Sequence, residues 1–109
     1  MPYSEELADR VRDLLGGRGG VAERKMFGGV AWMIDGNMAC GVMGDDLLVR
    51  LPREDVEGAL EEPHVGPMEF TGRRMGGFVL IDSAGIDDAA GLGRWVDAGA
   101  DHAASLPAK

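Results

Sequence analysis

The sequence predicts an α+β domain in which helices cover one face of an antiparallel sheet in two layers. Three observations support this class: helical spacing of apolar residues near both ends, apolar runs in the middle, and Asp and Gly pairs between those runs. No linker divides residues 1–109, so we expect a single domain. A chain of this length buries roughly 65% of its unfolded surface and can fold without disulfides.

The first helix is predicted to begin after Ser4. Serine is a favoured N-cap, and Glu5 and Glu6 follow in the first turn, where the helix dipole stabilises acids. Two glycine pairs in the run GGRGG (16–20) end the pattern. The apolar stripe at i, i+4, i+7 and i+8 consists of Leu7, Val11, Leu14 and Leu15.

The middle of the chain predicts a meander of three antiparallel strands. Apolar runs occupy residues 30–34, 38–43 and 47–50, and the segments 35–37 and 44–46 between them contain Asp-Gly or Gly-Asp. Tight hairpin turns need residues that tolerate positive φ, and these pairs do. The three runs therefore pair as neighbours.

A second helix and one or two further strands come next. Glu54 and Asp55 follow Pro52 in what reads as a first helical turn, and this helix ends before Pro63. Prolines at 63 and 67 exclude the segment 63–74 from the centre of a sheet. The run 78–81 predicts a strand.

The last predicted element is a C-terminal amphipathic helix entered through Asp87 and Asp88. Its apolar stripe consists of Leu92, Trp95, Val96, Gly99, Ala100, Ala103 and Leu106. The resulting order is one helix, three strands, a helix, one or two strands and a helix.

The motif RKMFGG at residues 24–29 has a near echo, RRMGGF, at residues 73–78. Glycine weakens a strand unless a bend, a bulge or close backbone approach requires it. Gly28 and Gly29 therefore predict a kink or bulge, with Met26 and Phe27 turned to opposite faces, and Gly76-Gly77 repeats the device. A phosphate cradle is disfavoured because neither glycine pattern matches a P-loop or a dinucleotide fingerprint.

The net charge of −8, with 19 acidic and 11 basic residues, repels phosphate backbones. We therefore expect the isolated domain to bind DNA no more tightly than ~10⁻⁵ M at physiological salt. A local basic patch remains an alternative if the sheet brings together Arg24, Lys25, Arg73 and Arg74, and it would make the domain a direct nucleic-acid binder.

The sequence shows no recognisable catalytic, cofactor or metal-ligand set. Cys40 lies among apolar strand residues and is expected to be a buried structural thiol. His64 is expected in a loop and His102 on a solvated helix face. A small enzyme that uses His64 or Cys40 is a further alternative, and it requires a deep polar pocket around them.

A cytoplasmic, non-membrane protein is expected. The single cysteine cannot form an internal disulfide, and the start MPYSEELADR lacks both a basic and an apolar signal region. No apolar run approaches the ~20 residues of a membrane span.

RKMFGG, DGNMACGV (35–42), PMEFTGRRMGGFV (67–79) and the tryptophan-bearing last helix resemble the N-terminal domain family of the TfoX/Sxy regulators of bacterial competence. The resemblance covers nearly the whole chain. It implies an α-β(3)-α-β(2)-α two-layer fold, also seen in secretion chaperones. Two-domain family members are transcriptional coactivators with a second, helical domain. This chain resembles their first half, and the resemblance implies a single-domain member of the family.

The resemblance implies a non-catalytic regulatory or adaptor module, without a cofactor, that binds a protein partner such as part of the transcription machinery. A two-fold homodimer is also expected, because soluble assemblies are most often two-fold and exposed sheet edges need cover. The opening motif would lie near a partner-facing edge. The candidate partner-binding residues are Arg24, Lys25, Met26, Phe27, Gly28, Gly29, Arg73 and Arg74.

Overall fold

Three helices and one six-stranded antiparallel sheet form the structure, a computed structural model that describes residues 3–26, 28–70 and 72–109 and, of Phe70, only the backbone. The strand order is β1-β2-β3-β4-β6-β5, and every pairing is antiparallel. The elements are α1 (Glu5–Leu15), β1 (Val21–Met26), β2 (Gly29–Ile34), β3 (Asn37–Met43), β4 (Asp46–Arg50), α2 (Arg53–Leu60), β5 (Val65–Phe70), β6 (Arg73–Ile81) and α3 (Ala89–Ser105).

The α+β class is confirmed, and the three predicted helices are present. The Ser4 hydroxyl accepts a hydrogen bond from the Leu7 amide at 3.1 Å, and Asp88 caps α3 by accepting from the Gly91 amide at 2.9 Å. The prediction was wrong at Leu14, whose side chain is 42% exposed. Ala8 is buried on α1 instead, since the inward face is centred on Leu7, Ala8, Val11 and Leu15. Leu106 lies just beyond the end of α3.

The order differs from the prediction by one strand, because β1 precedes the expected meander. Its sequence, VAERKM, is polar and carries no apolar alternation. β1 is an edge strand that pairs only with β2, and most of its side chains are exposed. An edge strand with little buried surface lacks the periodic apolar signal from which strands are predicted.

Glycines occupy the two sites for which kinks were predicted, in different roles. Gly28 has φ of +75° at the turn between β1 and β2, and Gly29 pairs with Met26 at the start of β2. This is a hairpin end, and the register shift of β2 lies further on, between Trp32 and Met33. The second pair is confirmed as part of a bulge, because the β5–β6 register shifts there and Gly77 has φ of +87°.

β5, which contains Pro67, forms the other edge of the sheet, in agreement with the expectation that this proline does not lie in a central strand. β5 pairs only with β6, and the exposed Pro67 lies within it. No helix among the described residues is long and apolar enough to cross a membrane.

A polar network ties β1 to α1. The Glu23 carboxylate accepts hydrogen bonds from the Arg12 guanidinium, at 2.6 and 3.0 Å, and from the indole Nε1 of the buried Trp32 at 3.0 Å. The hydrogen bonds and charge of Arg12 hold the pKa of Glu23 below its ordinary value. The network fixes an edge strand that has few apolar contacts of its own.

Replacing Glu23 by glutamine is expected to lower the free energy of unfolding at pH 7 by about 0.5 to 1 kcal/mol, a small effect because the ion pair is partly exposed and screened. A carboxylate whose pKa is lowered by folding stabilises the fold above its unfolded pKa, about 4.3, and loses that contribution as the pH falls through the folded pKa. Denaturation curves of both proteins should therefore converge between pH 7 and pH 3.

The Arg12→Gln background supplies the control for this prediction. Most of the effect of Glu23→Gln should vanish there, since the charge that it pairs with is absent. A difference that is the same at every pH would show that the carboxylate charge contributes nothing.

Candidate functional site

The two faces of the sheet have different surroundings. On β2, Val30, Trp32 and Ile34 belong to the core that the helices cover. Ala31 and Met33 alternate with them and belong to a second apolar cluster. Successive strand side chains point to opposite faces, so this second cluster lies on the face away from the helices.

The second cluster is built from strand residues alone. We call it the methionine face, because it contains every methionine among the described residues. Met is unbranched and polarisable, and surfaces rich in it adapt to different partners. The members are Met26, Ala31, Met33, Met38, Met43, Leu48, Met68, Met75, Phe78 and Leu80.

Part of the methionine face is buried within the chain itself. Ala31, Met38, Leu48 and Met68 have almost no exposed surface. The other six apolar side chains are half-buried, although no described helix packs on them. They form an apolar area that is open to a further element.

Three arginines stand on or beside the methionine face. Arg24 pairs in register with Ala31, and Arg50 pairs with Phe78, its guanidinium 6.0 Å from the ring centre. Arg73 lies two residues from Met75 on β6 and so shares its side. Among the described residues, none of these arginines has a carboxylate within 4 Å.

Of the other arginines, four are paired with carboxylates, whereas Arg10 and Arg53 have none within 4 Å among the described residues. Arg12 binds Glu23, Arg18 binds Asp101 at 2.9 Å, and Arg94 of α3 binds Glu62 at 2.6 Å. The acids are concentrated in the helical layer, as in Glu5, Glu6, Asp9 and Asp13 of α1 and Glu54, Asp55 and Glu57 of α2. The methionine face is therefore the less acidic side of an acidic protein.

A carboxylate lies at one end of the methionine face. Asp46 pairs with Met43 there, and burial, followed by the charges of Asp82 and Asp45, raises its pKa. The opposite end, where β4 finishes, carries Arg50. An acidic and a basic side chain, Asp46 and Arg50, thus lie at opposite ends of β4 on this face.

The candidate partner-binding residues fall in several places. Arg24 and Met26 lie on the methionine face, whereas Lys25 points to the helical side, with its ammonium 5.9 Å from the ring centre of Tyr3. Arg74 points to α2, 3.7 Å from Glu57, while Arg73 lies on the other side. Phe27 is outside the described residues, and Gly28 and Gly29 form the end of the β1–β2 hairpin.

The sheet does not unite the two basic pairs into one patch. β1 and β6 are separated by β2, β3 and β4, which is about 19 Å along the sheet at ~4.8 Å per strand. Adjacent cations also point to opposite faces in each pair, because strand side chains alternate. The structure therefore does not meet the condition on which the alternative of an Arg24, Lys25, Arg73 and Arg74 patch depended.

The residues considered for catalysis are dispersed. Cys40 is fully buried, as predicted, and burial raises the pKa of its thiol to about 12. His64 is exposed in a loop, with Nδ1 3.1 Å from Asp82. His102 borders a cleft of about 550 Å³ together with Arg50 and Arg53. The described residues contain no group of three or more His, Cys, Asp or Glu arranged to hold a metal.

Residues 13–103 match the TfoX N-terminal domain family. The chain belongs to that family. Neither a curated protein nor a solved structure matches it significantly. The family match runs from the last three residues of α1 to near the end of α3, so the methionine face lies entirely within the TfoX N-terminal domain.

The second apolar face of this TfoX N-terminal domain was not predicted from the sequence. β2 contained a signal, because GVAWMI is apolar at both alternating sets of positions, those on the helical face and those on the opposite face. Strands with one solvated face alternate between apolar and polar residues. Continuous apolar runs in an antiparallel meander therefore indicate a second apolar face, although they do not reveal what covers it.

Proposed function

We propose that this TfoX N-terminal domain is a non-catalytic regulatory or adaptor module that acts by binding a protein partner. The methionine face is the observation that carries the proposal. Half-buried apolar side chains lie together on a sheet face without a described helix over them, and adaptable methionines predominate. Such a surface suits a protein contact better than a small-molecule site, which is concave and encloses its ligand.

Family membership supports a role in transcription regulation, with competence as the example set by two-domain members. We place the protein in the bacterial cytoplasm, where its one thiol stays reduced. The proposal excludes catalysis by Cys40 because a thiol with a pKa of about 12 remains protonated and non-nucleophilic at neutral pH.

Site-specific photocrosslinking tests the proposal. A benzophenone side chain in place of Met33, on the methionine face, should form a covalent adduct with another protein in native cell extract. The same group in place of Leu14, an exposed apolar residue on α1, is the matched control and should not. Mass spectrometry of the adducts identifies the partner.

Adducts that form only from position 14, or equally from both positions, would contradict the proposed use of this face. Circular dichroism of both labelled proteins checks that each is folded.

A further inference from the structure

We propose that the methionine face binds an acidic amphipathic helix of the partner, whose apolar stripe packs on the methionines and whose carboxylates reach the arginines beside them. This inference rests on the proposed function and adds the chemistry of the partner. Three features support it. They are the different side-chain lengths on the face, the lack of a carboxylate partner for Arg24 and Arg50 among the described residues, and the distribution of charge.

The relief of the face suits a single helix. Ala31, Gly41, Leu48 and Leu80 lie side by side across four strands in the observed register. The β2 and β3 positions of this row are small, because Ala31 has a short side chain and Gly41 has none, whereas leucines occupy the β4 and β6 positions. Methionines stand on both sides of it, Met26 and Met43 towards one end of the strands and Met33 and Met38 towards the other.

We call the low part of the row, at Ala31 and Gly41 between the longer and flexible methionines, the trough. Met26 is level with Gly29, which lies four positions from Met33 on β2, or ~13 Å at ~3.3 Å per residue, so a helix of ~10 Å diameter has room between these methionines. Apolar side chains of such a helix, at i, i+3, i+4 and i+7, would contact the half-buried methionines. The trough therefore fits a helix laid across the sheet.

The unpaired arginines select the charge of the partner. Arg24 stands at one end of the trough, next to Ala31 in the register. Arg50 lies two residues from Leu48, on the side of Met33 and Met38. Glutamates that flank an apolar stripe could reach these arginines, whereas lysines there would meet like charge.

The net charge of −8 does not prevent this contact. The acid-rich helices lie on the other side of the sheet, about one helix diameter, ~10 Å, away. The Debye length at physiological ionic strength is ~8 Å, so most of their repulsion is screened at the methionine face. The attraction of the partner's carboxylates to Arg24 and Arg50 then outweighs the repulsion from the acid-rich helices.

Two other occupants fit less well. A second copy would need about 800 Å² on each chain, and four of the ten apolar side chains are already buried. Nucleic acid would need cations along a continuous path, and apolar side chains separate Arg24 from Arg50 in this face.

Fluorescence anisotropy with designed peptides tests the inference. The probe is a labelled helix of ~20 residues with leucine at i, i+3, i+4 and i+7 and glutamate at the flanking positions. One comparison peptide has lysine for each glutamate, and another has the same composition in scrambled order. The full chain should bind the acidic helix about tenfold more tightly than either at ~0.15 M salt.

Charge-reversed variants locate the contact. Arg24→Glu with Arg50→Glu should weaken binding of the acidic helix about tenfold or more and strengthen binding of the lysine helix. Arg10→Glu, on α1, makes half that charge change on the acidic layer and should leave both affinities within about twofold, as a distant screened charge does. Melting curves confirm that each variant is folded.

Equal or tighter binding of the lysine helix, or no binding of the acidic one, would overturn the acidic partner. The photocrosslinking result at position 33 would then decide separately whether the face binds protein. Two further outcomes also overturn it: oligonucleotide binding that is lost in the Arg24 and Arg50 variant, and a dimer in sedimentation equilibrium that dissociates on Met33→Glu.

Discussion

Replacing Gly29 by valine is expected to destabilise the domain by about 3 kcal/mol, at the upper end of the range for overpacking. A Cβ atom at Gly29 would overlap the carbonyl oxygen of Val42 on the neighbouring strand, and backbone atoms cannot yield as a flexible side chain can. The β2–β3 pairing would have to open locally. Urea denaturation of both proteins measures the loss.

Gly28→Ala is the matched control one residue away. Gly28 has φ of +75°, and a Cβ atom there would meet nothing within 4 Å. Alanine should therefore cost about 1 to 2 kcal/mol, the conformational penalty alone. Equal losses of stability at the two positions would show that close approach to Val42 is not what requires glycine at position 29. An unchanged stability of the Gly29 variant would mean that this glycine has no structural role.

Replacing Gly99 by alanine is expected to cost about 2 to 3 kcal/mol, although alanine is the better helix former. Gly99 lies on the buried side of α3, and a Cβ atom there would overlap the Ala39 carbonyl oxygen and lie 3.2 Å from Val49 Cγ1. The helix would have to lift from the sheet, which would expose the core beneath Trp95 and Val96.

Gly93→Ala on the same helix should have the opposite sign. A Cβ atom at Gly93 meets nothing within 4 Å, so only helix propensity changes and the domain should gain about 0.5 to 1 kcal/mol. Thermal unfolding of the two variants compares them directly. A gain at both positions would mean that α3 does not rest as closely on β3 as the structure has it.

Features set by neighbouring residues in the chain could be predicted from the sequence. Ser4 and Asp88 cap their helices because a short polar side chain reaches the first turn locally. Asp35 and Gly36 form the β2–β3 turn with φ of 51° and 85°, as residues that tolerate this region should. Neither feature depends on distant parts of the fold.

Features set by strand order and by packing could not be predicted in this way. RKMFGG and RRMGGF look alike, yet three other strands separate β1 from β6 in the sheet. No local pattern encodes that separation. The methionine face was missed for the same reason. Whether Met33 or Met43 faces a helix depends on which face of the sheet the three helices pack against. That is set by long-range contacts.

The two sheet edges are chemically unsuited to growth of the sheet. β1 presents consecutive charges, Glu23, Arg24 and Lys25, which resist pairing with a like strand. β5 carries Pro67, which lacks the amide hydrogen that another strand would need. Continuous strand addition, the route to fibrous aggregates, is therefore disfavoured at both edges. The domain can expose the methionine face without becoming prone to polymerise through its sheet.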